Sequence, residues 1–179
     1  PAAPVTRAQR SPVAYAELCA TTNFSFLRGA SHPEEFVASA AELGYHAIGI
    51  TDRNSLAGIV RMHSAARTCG LKLVVGAHLD LVEGVSIRVW PMDRAAYARL
   101  CRLLTLGKSR VAKGEFRLSL DAFLEQSDGM QVAAIPDAGD SDRSIDTLRD
   151  ALGKRFSLLA WLHYDHDNPL RLQRLVDLS

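Results

Sequence analysis

Apolar positions along the chain switch repeatedly between a period of two and a period near 3.6, and that switching marks out the elements. Tyr15 to Ala20 reads as a first strand, and Thr21 to Ala30 as a loop. Ser31 then opens a helix. Ser31 and Glu34 have capping-box spacing, and Pro33 falls in the first turn, where its missing N–H costs little. Phe36, Val37, Ala40 and Leu43 form its apolar face, and Gly44 stops it. Ala47 to Thr51 is an apolar strand ending at Asp52. Asn54 or Ser55 caps the next helix, with Leu56, Ile59, His63 and Ala66 on one face and Gly70 at the end. Leu73 to Val75 is a buried strand continuing through Gly76 toward Leu81; Glu83-Gly84 is a hairpin turn, and Val85 to Trp90 returns.

Pro91 ends that strand, and Asp93 caps a helix in which Tyr97, Leu100, Cys101 and Leu104 recur at helical spacing. Ser119 caps a short helix to Leu124. Val132 to Ile135 and Ser157 to Leu162 read as strands, and Ile145 to Leu152 as the helix between them. Leu170 to Leu178 is a last helix after Asn168-Pro169. Strands and helices therefore alternate, with one hairpin inserted, which predicts an α/β fold built on a mainly parallel sheet or barrel. In such folds chemistry gathers in the loops after the strands. Those loops carry Cys19 and Thr21, then Asp52 and Arg53, then His78 and Asp80, then His163 to Asp167.

Composition adds limits. The 179 residues are 47% hydrophobic and 23% charged, ordinary for a globular domain. A formal net charge of +1 exerts no global pull toward nucleic acid or membrane, so any basic surface is local. The three cysteines, Cys19, Cys69 and Cys101, form no CxxC pair, which argues against a zinc knuckle or a disulfide framework and fits a reducing cytoplasm. No apolar run approaches membrane-spanning length. Residues 1–12, rich in Pro and Ala, read as a disordered lead-in without the apolar core of a signal peptide, and residues 13–179 as the domain.

Several groupings are capable of chemistry, and each has a bland counterpart. Asp52 at a strand end suits a metal ligand or general base, or equally a cap. His78 and Asp80 share one strand face as ligands or as solvated residues. His163, Asp165, His166 and Asp167 suit zinc or manganese, yet a polar loop before a helix has the same composition. Arg94 to Arg117 holds Arg99, Arg102, Lys108, Arg110 and Lys113 against the single acid Glu115. That stretch fits phosphate or an acidic partner, or simply a solvated face.

The stretch Leu18-Cys19-Ala20-Thr21-Thr22-Asn23-Phe24-Ser25-Phe26-Leu27-Arg28-Gly29-Ala30-Ser31 resembles the opening motif of the PHP (polymerase and histidinol phosphatase) domain, roughly L-H-x-H-S-x-x-S-x-L-D-G-A. Gly44 to Gly58, with Ile50-Thr51-Asp52-Arg53 and Asn54-Ser55-Leu56-Ala57-Gly58, resembles its second motif, A-I-A-I-T-D-H followed by N-L-x-G. Leu71 to His78 looks like the third, in which Glu follows Gly-x. The wording from Asn23 to Glu35 is most similar to error-prone, damage-induced C-family polymerases of bacteria.

The resemblance implies a distorted seven-stranded β/α barrel, of which this chain supplies a part that lacks the late strand and so is truncated at its C-terminal end. It also places Cys19 and Thr21 at the family's paired histidines, Arg28 at an aspartate ligand, Arg53 at a histidine, His78 at a glutamate, and Ser86 near another histidine. Only Asp52 is kept. Arginines at ligand positions repel divalent ions and cannot be neutralised, so no metal is expected in this domain, and Asp52 is expected to pair with Arg53 or Arg28. The implied role is a non-catalytic structural domain of an error-prone translesion DNA polymerase. In the parent, magnesium-dependent synthesis, DNA, the sliding clamp and translesion accessory proteins would involve the rest of the polymerase. The alternatives are a metal phosphoesterase or proofreading nuclease using zinc or manganese on Asp52, His78, Cys19, His163 and His166, and a nucleic-acid or accessory-protein binding module.

Overall fold

The computed structural model describes residues 13–109, 111–136, 142–161 and 168–178. The expected lead-in, Arg110, and the His163 to Asp167 grouping lie outside the described residues. The chain divides into two compact units, Pro1–Ala77 and His78–Ser179. Its strands follow one another in a six-stranded sheet in the order β1 to β6, so the fold is α/β on a mixed sheet.

In the first unit, β1 (Ala16–Ala20) pairs in parallel with β2 (Ala47–Arg53). Every residue of β2 except Arg53 is buried, as expected of a strand covered on both faces. Helices α1 (Pro33–Glu42) and α2 (Ile59–Cys69) complete the unit. Val37 and Ala40 of α1 meet Ile48 and Ile50 of β2 and Ile59, Met62 and Ala66 of α2 in one core. The pattern of α1 is as expected except at its ends. The cap is His32, whose N–H donates to Glu35 Oε2 at 2.7 Å, one residue after the predicted Ser31 and Glu34 pair. Leu43 is the C-cap, still right-handed with its N–H on the Ser39 carbonyl, and its side chain is 64% exposed, so the apolar face ends at Ala41.

Helix α2 begins later than Asn54 or Ser55. Asn54 turns left-handed, with φ of 50°, and Ile59 N donates to Leu56 O, so a turn precedes the helix. Its buried face is Ile59, Met62 and Ala66, and the expected His63 is exposed. Strand β3 (Lys72–Asp80) runs from the first unit into the second.

The second unit opens with the predicted turn. Gly84, at φ of 86°, donates to Leu81 O, and Leu81 N donates to Val85 O. Strand β4 (Ser86–Pro91) then pairs antiparallel with β5 (Met130–Ile135), which pairs in parallel with β6 (Phe156–Leu158). The inserted hairpin therefore reverses one strand and makes the sheet mixed. Between β4 and β5 lie α3 (Arg94–Ser109) and α4 (Leu120–Leu124). Their caps are those predicted: Asp93 Oδ1 accepts from Ala96 N at 2.7 Å, and Ser119 Oγ from Ala122 N at 3.3 Å. In α3 the buried positions are Ala96, Leu100, Leu103, Leu104 and Gly107, so the apolar stripe is broader than the Tyr97, Leu100, Cys101 and Leu104 set. The unit ends with α5 (Asp142–Leu152) and α6 (Asn168–Asp177). Arg174 of α6 meets Asp142 of α5 at 3.0 Å, and Arg149 of α5 donates to the Leu178 carbonyl.

Candidate functional site

Asp52 lies inside β2, not in the loop after it, and is 1% exposed. A carboxylate removed from water needs its lone pairs satisfied. Its Oδ1 accepts from Thr22 N at 2.8 Å and from Ser25 Oγ at 2.7 Å, and its Oδ2 accepts from Thr22 Oγ1 at 2.8 Å. Thr22 and Ser25 are themselves buried, and Ser25 Oγ also accepts from Arg53 N at 2.8 Å. The expected Asp52–arginine pair is thus replaced by neutral donors. The physical reason is exposure: Arg28 and Arg53 are exposed residues while the carboxylate is buried. Gly58 closes the other side, where a Cβ would stand 2.8 Å from Asp52 Oδ2 and 3.2 Å from Thr22 Oγ1.

Within the first unit, Cys19, Thr21 and the side chains of Arg28 and Arg53 make no bond to this carboxylate. Cys19 sits where the β1 register slips between Glu17 and Ala20, and its N–H donates to Glu17 Oε1 at 2.7 Å. Glu17 Oε2 accepts from Tyr15 at 3.0 Å, and that hydrogen bond, with the carboxylate's charge, raises the Tyr15 pKa. Thr21 Oγ1 turns toward the Cys19 carbonyl at 3.5 Å.

In the second unit, His78 Nε2 lies 2.9 Å from Asp80 Oδ1, and that oxygen accepts a hydrogen bond from Ser86 Oγ at 2.9 Å. His78 and Asp80 do share one strand face, as their spacing requires. Among the described residues, no three His, Cys, Asp or Glu side chains gather to hold a metal ion. Within the basic stretch, Arg99 is engaged: Nε and Nη2 donate to the Asp128 carbonyl at 3.0 and 2.6 Å. Arg102, Lys108 and Lys113 are exposed.

Thr22 and Ser25 were not singled out by the sequence as site residues. The available signal was their position: they occupy the two hydroxyl positions of the opening motif, three residues apart, like its two serines.

A family model described as the PHP domain matches residues 18–162. Error-prone DNA polymerase 3 of Agrobacterium fabrum is 45% identical over 169 residues, covering 93% of this chain and 16% of the relative. An error-prone DNA polymerase of Caulobacter vibrioides is 51% identical over 126 residues, covering 70% of this chain and 12% of the relative. The chain therefore spans a small part of the length of the curated relatives it matches. A solved structure from Bifidobacterium adolescentis, described as a metal-dependent phosphoesterase, aligns with a TM-score of 0.69 at 16% identity, covering 93% of this chain and 83% of that one. An amidohydrolase from Chromobacterium violaceum aligns at a TM-score of 0.57 and 15% identity, covering 76% and 74%. At such identities these two structures speak for the fold alone. With its first two motifs assembled around a buried Asp52 and its sequence matched along most of its length, the chain belongs to the PHP domain family.

Proposed function

We propose that this PHP domain is a non-catalytic structural part of an error-prone DNA polymerase that copies past damaged template. The observation that carries the reading is the state of Asp52. Its carboxylate is already held by three hydrogen bonds from Thr22 and Ser25. A divalent ion needs several anionic or imidazole donors converging with free lone pairs. Here the side chains bonded to Asp52 are the neutral hydroxyls of Thr22 and Ser25, and the loop's own donors take three of the carboxylate's roughly four lone-pair sites. Among the described residues this donor set does not fit a zinc or manganese centre, and the reading assigns no reaction step to this domain. In this reading nucleotidyl transfer, with its magnesium, DNA, sliding clamp and translesion accessory proteins, belongs to the rest of the polymerase. The similarity to curated polymerases supports that assignment.

The test is elemental analysis of the chain purified without chelator, paired with hydrolysis of p-nitrophenyl phosphate in added manganese or zinc. The expected result is far less than one metal per chain and no metal-stimulated turnover. A stoichiometric metal that disappears in Asp52→Ala would favour the phosphoesterase alternative instead.

A further inference from the structure

The loop between β1 and α1 is tightly folded yet presents its apolar side chains to water. Ser25 N donates to Thr22 O at 2.9 Å, Arg28 N and Gly29 N donate to Ser25 O at 2.9 and 3.0 Å, and Asn23 N donates to Ser31 O at 2.9 Å. A Cβ on Gly29 would lie 2.3 Å from the Thr22 carbonyl oxygen, so the backbone closes on itself with no room to spare. The Asp52 hydrogen bonds to Thr22 and Ser25 pin the same loop from below. At its tip, Phe26 is 83% exposed and Leu27 87% exposed, and Leu27 has φ of 60°. The left-handed leucine costs backbone strain, and the two bare apolar side chains return almost no burial to the chain by itself. A glycine or asparagine would be the relaxed choice at position 27.

We propose that Phe26 and Leu27 are docking anchors that seat in an apolar, acid-rimmed face on the polymerase portion that the relatives carry and this chain does not span. The inference rests on the structural role proposed above. Two observations select this occupant. The matched relatives devote 16% or less of their length to the region in common, so most of their chain is available to face it. The tip is flanked by a cation: Arg28 is exposed, and the nearby carboxylates are engaged, Glu34 with Arg61 at 2.6 Å and Glu35 with the His32 N–H. An aromatic ring beside an arginine is a common make-up for a protein anchor, and Leu27 adds apolar area next to it. Base stacking is less suited, since Leu27 has no ring and the Phe24 ring is faced by Arg61, whose Cζ lies 5.9 Å from the ring centroid.

The experiment introduces Phe26→Cys into the chain alone and into the full polymerase that contains it, and compares maleimide labelling rates with those of the unsubstituted proteins. Thermal unfolding of the domain in both contexts is measured alongside. The expected result is labelling at least ten-fold slower in the full polymerase, with fast, concentration-independent labelling in the chain alone. If the domain gains no stability in the full polymerase, the structural role itself fails. If it gains stability while the Phe26→Cys thiol labels at an unchanged rate, only the anchor assignment fails. Protection that requires added oligothymidylate would overturn it in favour of nucleic acid, and concentration-dependent protection in the chain alone would overturn it in favour of a second copy.

Discussion

At the scale of single residues, Asp52 changes the account most. Its position was legible as chemistry, because an acid closing an apolar run invites a metal or a base. Its partners were not legible, because sequence shows neither which way a side chain faces nor that Arg28 and Arg53 reach water. In the fold Asp52 is the anchor point of a loop. Asp52→Ala leaves Thr22 N, Thr22 Oγ1 and Ser25 Oγ without an acceptor in a buried place. The expected loss is about 1–3 kcal/mol in urea unfolding. Asp52→Asn keeps one carbonyl acceptor and should lose less. A neutral Asp52→Ala would mean that the loop does not depend on this carboxylate. Leu27→Asn should act in the opposite sense, raising the stability of the chain by roughly 1 kcal/mol through relief of the left-handed backbone. Chemical denaturation of the same chain reads both changes.

At the scale of elements, helical spacing located α1 and α2 but misplaced their ends. Caps depend on local backbone geometry, and one residue of slip moves the cap from Ser31 to His32 and frees Glu34. That freed Glu34 meets Arg61 of α2 through two hydrogen bonds, of 2.6 and 2.9 Å. The hydrogen bond to Arg61 holds the Glu34 carboxyl below its ordinary value of 4.5. Because the folded pKa is depressed, the tie contributes fully above pH 4.5 and is lost as the pH falls below it through the folded value. The pair is exposed, so Arg61→Ala should change stability by no more than about 1 kcal/mol, and by more above that pH than well below it, where only the contact with the Phe24 ring remains. Unfolding midpoints at pH 7 and pH 3 check this, and an equal effect at both would remove the charge from the explanation. The turn before α2 is less tolerant. Gly58→Ala brings a methyl against Asp52 Oδ2 and should cost stability while adding helix propensity. A net gain would show that the close approach is easily relaxed.

At the scale of the whole molecule, the alternation of elements was enough for an α/β fold, since two periodicities and their order need no long-range knowledge. Strand direction was harder. The inserted hairpin was visible at Glu83-Gly84, but its consequence, the antiparallel pairing of β4 with β5, follows only from register between distant segments.

The last helix carries the final prediction. Leu170, Leu172, Leu175, Val176 and Leu178 give this end of the chain an apolar face in need of a covering surface, and no residue of the helix is fully buried. Leu170 is 72% exposed, Leu172 44% and Val176 67%. Leu175 and Leu178 are half-buried. Exposed apolar side chains grouped on one short element favour association with another apolar surface. The chain alone should therefore self-associate as its concentration rises, by light scattering. The double substitution Leu170→Glu with Val176→Glu should suppress that association and leave the unfolding midpoint nearly unchanged, because neither side chain is buried. A chain that stays monomeric at every concentration, with or without the substitutions, would show that α6 tolerates its exposed leucines without a partner.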